Sequence, residues 1–326
     1  MPHRQITVSG LPAIALSNDE IEVVCVPGLG GKLTNLRRRG GREWLWRNPA
    51  IPLRPPDWGA SYVETADSGG WDECFPTIGP SPMPGARPDE PLLPDHGELW
   101  ALPWEHAIVD RPEGVTLIGT VEGKLLPYDL HREITLAVDR PEVRITYVLR
   151  HRGEVPFPFI WAGHPLINVQ AGSTITLPTV EQAYVISVAG REDVAVGDTV
   201  PWPLEGAGAA WSFPGNAGWA LMLGADLGAS GRMEVTDPVR GERLEIDASP
   251  EVGQVGVWIN AGGWAPATLE GRPGPTPYVN LGLEPCIGAP DALERATERW
   301  RAAAMLAPGE ARRWALTIRI PDPLGD

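Results

Sequence analysis

The chain has 326 residues, with 38 glycines, 36 prolines, 43% hydrophobic residues and a formal charge of −15. The apolar content is enough for a large core and excludes bulk disorder, and the glycines follow no three-residue period, which excludes collagen. The acidic balance repels phosphate backbones and argues against a nucleic-acid partner. Cys25, Cys74 and Cys286 are far apart and include no CxxC pair, so neither a disulfide framework nor a thiolate zinc site is expected.

Met1-Pro2-His3-Arg4-Gln5 leads into no apolar signal segment, and no run of about 18 apolar residues follows, so the expectation is a soluble cytoplasmic protein with no membrane partner. Strand signals begin at Ile6. Gly28-Leu29-Gly30-Gly31-Lys32 lacks phosphate-loop spacing and reads as a plain turn between strands. Residues 48–103 are rich in proline and glycine, without periodicity, and hold Trp58, Tyr62, Trp71 and Trp100 near charged residues. A long aperiodic stretch inside a compact protein is functional or disordered, and the aromatic content favours order. Period-two alternation then recurs: Leu117, Gly119 and Val121; Val143, Ile145, Tyr147 and Leu149; Val255, Val257 and Ile259; Trp314, Leu316, Ile318 and Ile320. Turn signals such as Asp139-Arg140-Pro141 and Asp237-Pro238 separate these runs. One short helix is predicted over 291–305, opened by a capping box at Asp291-Ala292-Leu293-Glu294, with Leu293, Ala296 and Trp300 on one face. No linker divides the chain. The fold class predicted is all-β, one domain over 1–326, with two broad antiparallel sheets packed face to face.

Three segments could carry chemistry. His96 lies in Asp95-His96-Gly97-Glu98, His164 in Trp161-Ala162-Gly163-His164-Pro165, and Glu284 ends the apolar run Val279-Asn280-Leu281-Gly282-Leu283. A lone histidine is more often structural than catalytic. A carboxylate emerging from a buried strand has either a perturbed pKa and a function, or a structural arginine partner. No HxH, HExxH, Gly-x-Ser-x-Gly or Walker pattern occurs.

Together these segments resemble the aldose 1-epimerases, or galactose-mutarotase-like proteins. The resemblance runs from about residue 20 to the end: Pro27-Gly28, His96-Gly97, Trp161 to Pro165, Asp237-Pro238, Leu283-Glu284-Pro285-Cys286 and Leu306-Ala307-Pro308-Gly309. It implies a β-supersandwich and an anomer-exchanging reaction without metal or cofactor. It casts Glu284 as the base toward the anomeric hydroxyl, His164 as the acid toward the ring oxygen, and His96 as a second histidine near that oxygen. Ring opening needs a proton removed at one oxygen and delivered at another, which suits groups titrating near neutral pH. Leu93-Pro94-Asp95-His96-Gly97 departs from the galactose-type run, and no aspartate matches the family's sugar-binding strand motif between 210 and 235. The spacing of His96, Gly97 and Trp104 is closer to the hexose-phosphate branch.

Sugars present C–H faces to aromatic rings and hydroxyls to carboxylates. On that ground Trp71, Glu73, Trp100 and Trp161 are the expected substrate-binding residues. Two other functions fit the scaffold: a non-catalytic carbohydrate-binding or sensing protein, or a glycoside hydrolase using Asp72, Glu73 or Glu98 as second carboxylate.

Overall fold

A computed structural model describes residues 2–204, 208, 210–266 and 277–322. Named strand pairs are antiparallel throughout. An 11-stranded sheet and a 9-stranded sheet carry nearly all of them, with a small two-stranded ribbon between Phe157–Phe159 and Ala304–Leu306. Among the described residues no helix is long and apolar enough to cross a membrane.

The alternating runs do what their period requires. Val143, Ile145, Tyr147 and Leu149 are fully buried, as are Leu316, Ile318 and Ile320 opposite them, while the intervening residues stay wetter. Val255, Val257 and Ile259 bury from the larger sheet into the same core. Most tryptophans fill this interior. Trp161 lies 4.9 Å from Trp314, and Tyr147 stacks on Trp314 at 5.2 Å, so aromatic rings close the space between the sheets.

The predicted helix is much shorter than 291–305. It spans Leu293–Glu298, and Ala304–Leu306 is already a strand. Its first turn is not capped by its own sequence. Thr77 Oγ1 accepts from the Leu293 N–H at 3.0 Å, and Ser81 Oγ from the Glu294 N–H at 2.9 Å. Asp291 instead accepts from Ala292 N and from Trp300 Nε1. Caps supplied across more than 200 residues cannot be seen in a local pattern.

Candidate active site

The site sits on the outer face of the larger sheet, on the neighbouring strands Trp71–Cys74, Trp161–Ile167, Val279–Ile287 and Gln254–Ala261. Ala162 pairs with Cys286 and Leu166 with Gly282, and the same register sets His164 opposite Glu284. Ladder pairing lapses between those two points, where Pro165 and Pro285 have no N–H to give. On the other sides His164 pairs with Asp72, and Glu284 with Gly256. One cross-strand row therefore reads Asp72, His164, Glu284, Gly256.

Glycines make the room for Glu284. A Cβ on Gly282 would stand 2.7 Å from its Oε1, and one on Gly256 would stand 3.1 Å from its Oε2. Glu284 is 1% exposed and, among the described residues, neither carboxylate oxygen has a hydrogen-bond partner. Burial pushes its pKa up from 4.5 to about 7, with His96 pulling weakly the other way. His164 Nε2 lies 3.5 Å from Glu284 Oε1. Burial, followed by the positive charge on His96 and on Lys32, holds His164 well below its ordinary pKa, so its ring is neutral.

His96 comes from the long aperiodic stretch, and the backbone around it is pinned. His96 and Gly97 both take left-handed backbone angles, φ +59° and +70°. A Cβ on Gly97 would fall 2.0 Å from the Phe75 carbonyl oxygen, so only glycine fits there. His96 N donates to Ile78 O, and Glu98 N to Phe75 O. The His96 ring lies 5.0 Å from His164, nearly perpendicular to it. Burial alone would lower its pKa, but Asp95, whose Oδ1 is 2.8 Å from His96 Nδ1, outweighs that and raises it. Of the two rings, His96 therefore holds a proton more tightly than His164.

Tyr62 locks both rings. It stacks on His96 at 4.2 Å and meets His164 edge-on at 5.5 Å. Its hydroxyl donates to Asp72 Oδ2 at 2.7 Å, and Lys32 Nζ donates to the same oxygen at 2.5 Å. Lys32 follows the glycine-rich turn, so that turn carries a buried cation to the site.

Tyr62, His96, His164 and Glu284 line a cleft of about 420 Å³. The structure brings Glu284, His164 and His96 together in it. Trp71, Glu73, Trp100 and Trp161 are not cleft residues. Successive side chains of a strand point to opposite faces. His164 lines the cleft and Asp72, its cross-strand partner, shares that face of the sheet, so Trp71, Glu73 and Trp161 face the inter-sheet core, all fully buried. Glu73 accepts from Arg132 at 2.8 Å, from Tyr147 Oη at 2.9 Å and from Trp161 Nε1 at 3.0 Å, which ties the two sheets together. Trp100 donates to the Asp95 carbonyl and meets Tyr62 edge-on, behind the histidine loop. The aromatic wall is instead Trp258 and Trp264, with rings 5.9 Å apart and perpendicular. Trp258 was legible: it is the outward position between Val257 and Ile259.

The carboxylates considered for hydrolysis are engaged elsewhere. Asp72 is held by Lys32 and Tyr62, Glu73 by Arg132, and Glu98 by the backbone N–H groups of Lys124 and Leu125. Asp67, unremarked in the sequence, does line the cleft, with its pKa pushed up by burial to about 6. Among the described residues no group of three His, Cys, Asp or Glu side chains is placed to hold a metal ion.

No protein-family model matches the chain, and no curated protein matches it by sequence. Solved structures do match. The Slr1438 protein from Synechocystis sp. PCC 6803 aligns with a TM-score of 0.67 at 18% identity, over 97% of this chain and 99% of that one. A galactose mutarotase-like protein from Lactobacillus casei aligns at 0.62 and 15%, over 95% and 100%. A galactose mutarotase related enzyme from Lactobacillus acidophilus aligns at 0.63 and 13%, over 96% and 98%. With its all-antiparallel two-sheet architecture matched along nearly its whole length, the chain has the fold of the galactose-mutarotase-like proteins.

Proposed function

We propose that the protein is an aldose 1-epimerase, interconverting the α and β anomers of a sugar by acid–base ring opening. The observation that carries this reading is Glu284. It is a carboxylate with two unpartnered oxygens at the floor of a cleft, poised near pKa 7, directly across the strand pair from a neutral histidine and near a charged one. Glu284 takes the proton of the anomeric hydroxyl, the bond from C1 to the ring oxygen breaks, and the ring oxygen receives a proton from a histidine. Rotation about C1–C2 and the reverse transfers close the other anomer.

The opposite pKa directions of the two rings favour His96, held in line by Asp95, over His164 as the proton donor. His164 is then the neutral ring that hydrogen-bonds at the ring oxygen. The test is the approach of a freshly dissolved aldose to anomeric equilibrium, followed by polarimetry or proton NMR across aldoses and sugar phosphates. The protein should accelerate it and Glu284→Gln should abolish the effect. Equal rates with and without protein across the panel would sink the proposal.

A further inference from the structure

We infer, on the reading of this cleft as a sugar site, that Asp67 is a specificity-determining residue whose second carboxylate oxygen accepts a hydrogen bond from a ring hydroxyl of the substrate other than the anomeric one. Two cross-strand rows make the floor of the cleft. The first carries His164 and Glu284. In the second, Leu166 N donates to Gly70 O, Leu166 pairs with Gly282, and Gly282 pairs with Trp258. Two residues along a strand return a side chain to the same face, so Leu166 and Trp258 line the cleft with His164 and Glu284. Asp67 lies just before Gly70 in sequence and lines the same cleft. A carboxylate therefore stands on the Leu166 side of the second row and an indole on the other. Gly282, between them, leaves the floor bare where a ring held at C1 by Glu284 would lie.

Asp67 is buried and rigidly held. Its N–H donates to Tyr62 O at 2.7 Å, and its carbonyl accepts from Asn48 Nδ2 at 2.9 Å. Its Oδ1 accepts from the Gly69 N–H at 3.1 Å. Gly69 is fixed in turn. Its carbonyl accepts from Lys32 Nζ at 2.7 Å, its φ is +77°, and a Cβ on it would fall 2.2 Å from Trp46 O. One carboxylate oxygen is thus committed to the backbone, while among the described residues no hydrogen bond reaches Oδ2. A buried acceptor left in this state gains most from a donor that arrives with the ligand, and a hydroxyl on a carboxylate makes a charge-assisted bond. Burial raises the pKa of Asp67 to about 6, against the pull of Lys32, the Gly69 N–H and His96 and with a further push from Asp72, so at pH 8 the acceptor is ionised. Trp258, across the floor, offers a surface to the C–H face of the ring. The two walls together suit a pyranose, one for its polar edge and one for its apolar face.

The experiment crosses Asp67→Asn with deletion of single sugar hydroxyls. Asparagine keeps the oxygen that holds the Gly69 N–H and puts an NH₂ donor where Oδ2 accepted, so the loop stays pinned while the polarity toward the ligand reverses. The ligands are glucose, galactose and their 2-, 3-, 4- and 6-deoxy forms at pH 8. Binding is read from tryptophan fluorescence, since Trp258 and Trp264 line the cleft, and kcat and KM from anomer exchange. In the wild type, deleting one of these hydroxyls should weaken binding by roughly 10- to 100-fold, the scale of a charge-assisted hydrogen bond. Asp67→Asn should bind the parent sugar that much more weakly and lose less than about twofold more on the same deletion, because the partner is already gone. The loss should fall on KM, with kcat at saturation nearly unchanged, a split that general damage to the site would not produce. Thermal unfolding checks that the variant folds, and Asp67→Ala is the second variant. A wild type indifferent to every deletion overturns the inference, as does a folded variant that binds the parent sugars as tightly as wild type or suffers the same loss as wild type on every deletion. Anomer exchange that persists with any of those results leaves the epimerase reading standing. The expected coupling without exchange upholds this inference and removes that reading, and neither binding nor exchange of any sugar removes both.

Discussion

Replacing Glu284 with glutamine keeps the side chain's size and removes its charge. Burial raises the carboxyl from 4.5 to about 7 in the folded protein. A raised carboxyl pKa means the folded state binds the proton more tightly than the unfolded chain. Its favourable contribution is complete below the unfolded value and is lost as pH climbs through 4.5 toward 7. Above about pH 7 the folded state carries the full penalty of a buried charge. A shift of roughly 2.5 units at 1.36 kcal/mol each is about 3 kcal/mol. Glutamine escapes that penalty. Both side chains leave a buried polar group without a partner, so at low pH, where Glu284 is protonated, the two proteins should differ little.

The expected result is therefore a pH-dependent stabilisation by a substitution that destroys activity. Denaturant unfolding of wild type and Glu284→Gln at pH 8 should favour the variant by about 3 kcal/mol, and at pH 5 by less than about 1 kcal/mol. A stability difference that is the same at both pH values would refute the reasoning. It would mean that the carboxylate is solvated or paired in the folded state, and that its readiness to act as a base has another origin. A functional group held at a cost to stability is what an active site, rather than a structural carboxylate, should show.

The remaining expectations touch the same machinery. Exchange activity should follow a bell in pH, rising as Glu284 ionises through about 7 and falling as His96, raised above its ordinary value, loses its proton. The falling limb should vanish in His96→Asn but persist in whatever activity His164→Asn retains. Gly282→Ala should cut exchange at least tenfold while leaving the protein folded, because the added Cβ presses within 2.7 Å of Glu284 Oε1; full activity would show that the carboxylate does not need its niche. Arg132→Met should lower stability by about 3–5 kcal/mol, because Glu73 would be left charged and unpaired in the core, as measured by chemical unfolding. Tyr62→Phe keeps the stack on His96 but drops the hydrogen bond to Asp72. It should move the histidine titration seen by NMR, and an unchanged titration would deny Tyr62 its positioning role.

The architecture was readable because burial on one face imposes a period of two. Tyr147 and Leu149, or Leu316 and Ile318, announce their strands without help from any partner. His96, His164 and Glu284 could be singled out from three segments marked by glycine or proline, and the structure places the three in one cleft. Trp71, Glu73 and Trp161, expected at the substrate, lie away from the cleft for a reason of parity. Trp71 and Glu73 look like a sugar platform as letters, yet a shift of one residue decides whether a side chain faces cleft or core, and neighbouring strands set that shift. The helix was overextended because the residues after Glu298 are drawn off to the strand Ala304–Leu306, whose partner Phe157–Phe159 lies far away in sequence. Tyr62 and Lys32 were invisible as site residues for the same cause: what they touch lies tens of residues away in sequence.

Parity also explains how this site can be rigid while holding an unsatisfied carboxylate. Along Trp71–Cys74 the residues alternate between two duties. Trp71 and Glu73 point inward, where Glu73 grips Arg132 of the facing sheet together with Tyr147 and Trp161. Asp72 points outward, where it holds Tyr62 and Lys32, and through Tyr62 both histidine rings. In each cluster one buried carboxylate gathers several donors, Glu73 from Arg132, Tyr147 and Trp161 and Asp72 from Lys32 and Tyr62, so neither cluster can slide without breaking charged hydrogen bonds in a dry interior. The strand thus hangs the histidine scaffold on an ionic tie between the sheets, one residue away and on the opposite face. Glu284, by contrast, is given space by Gly256 and Gly282 and, among the described residues, no hydrogen-bond partner for either carboxylate oxygen, so the groups around it are fixed while both of its oxygens stay open to the cleft.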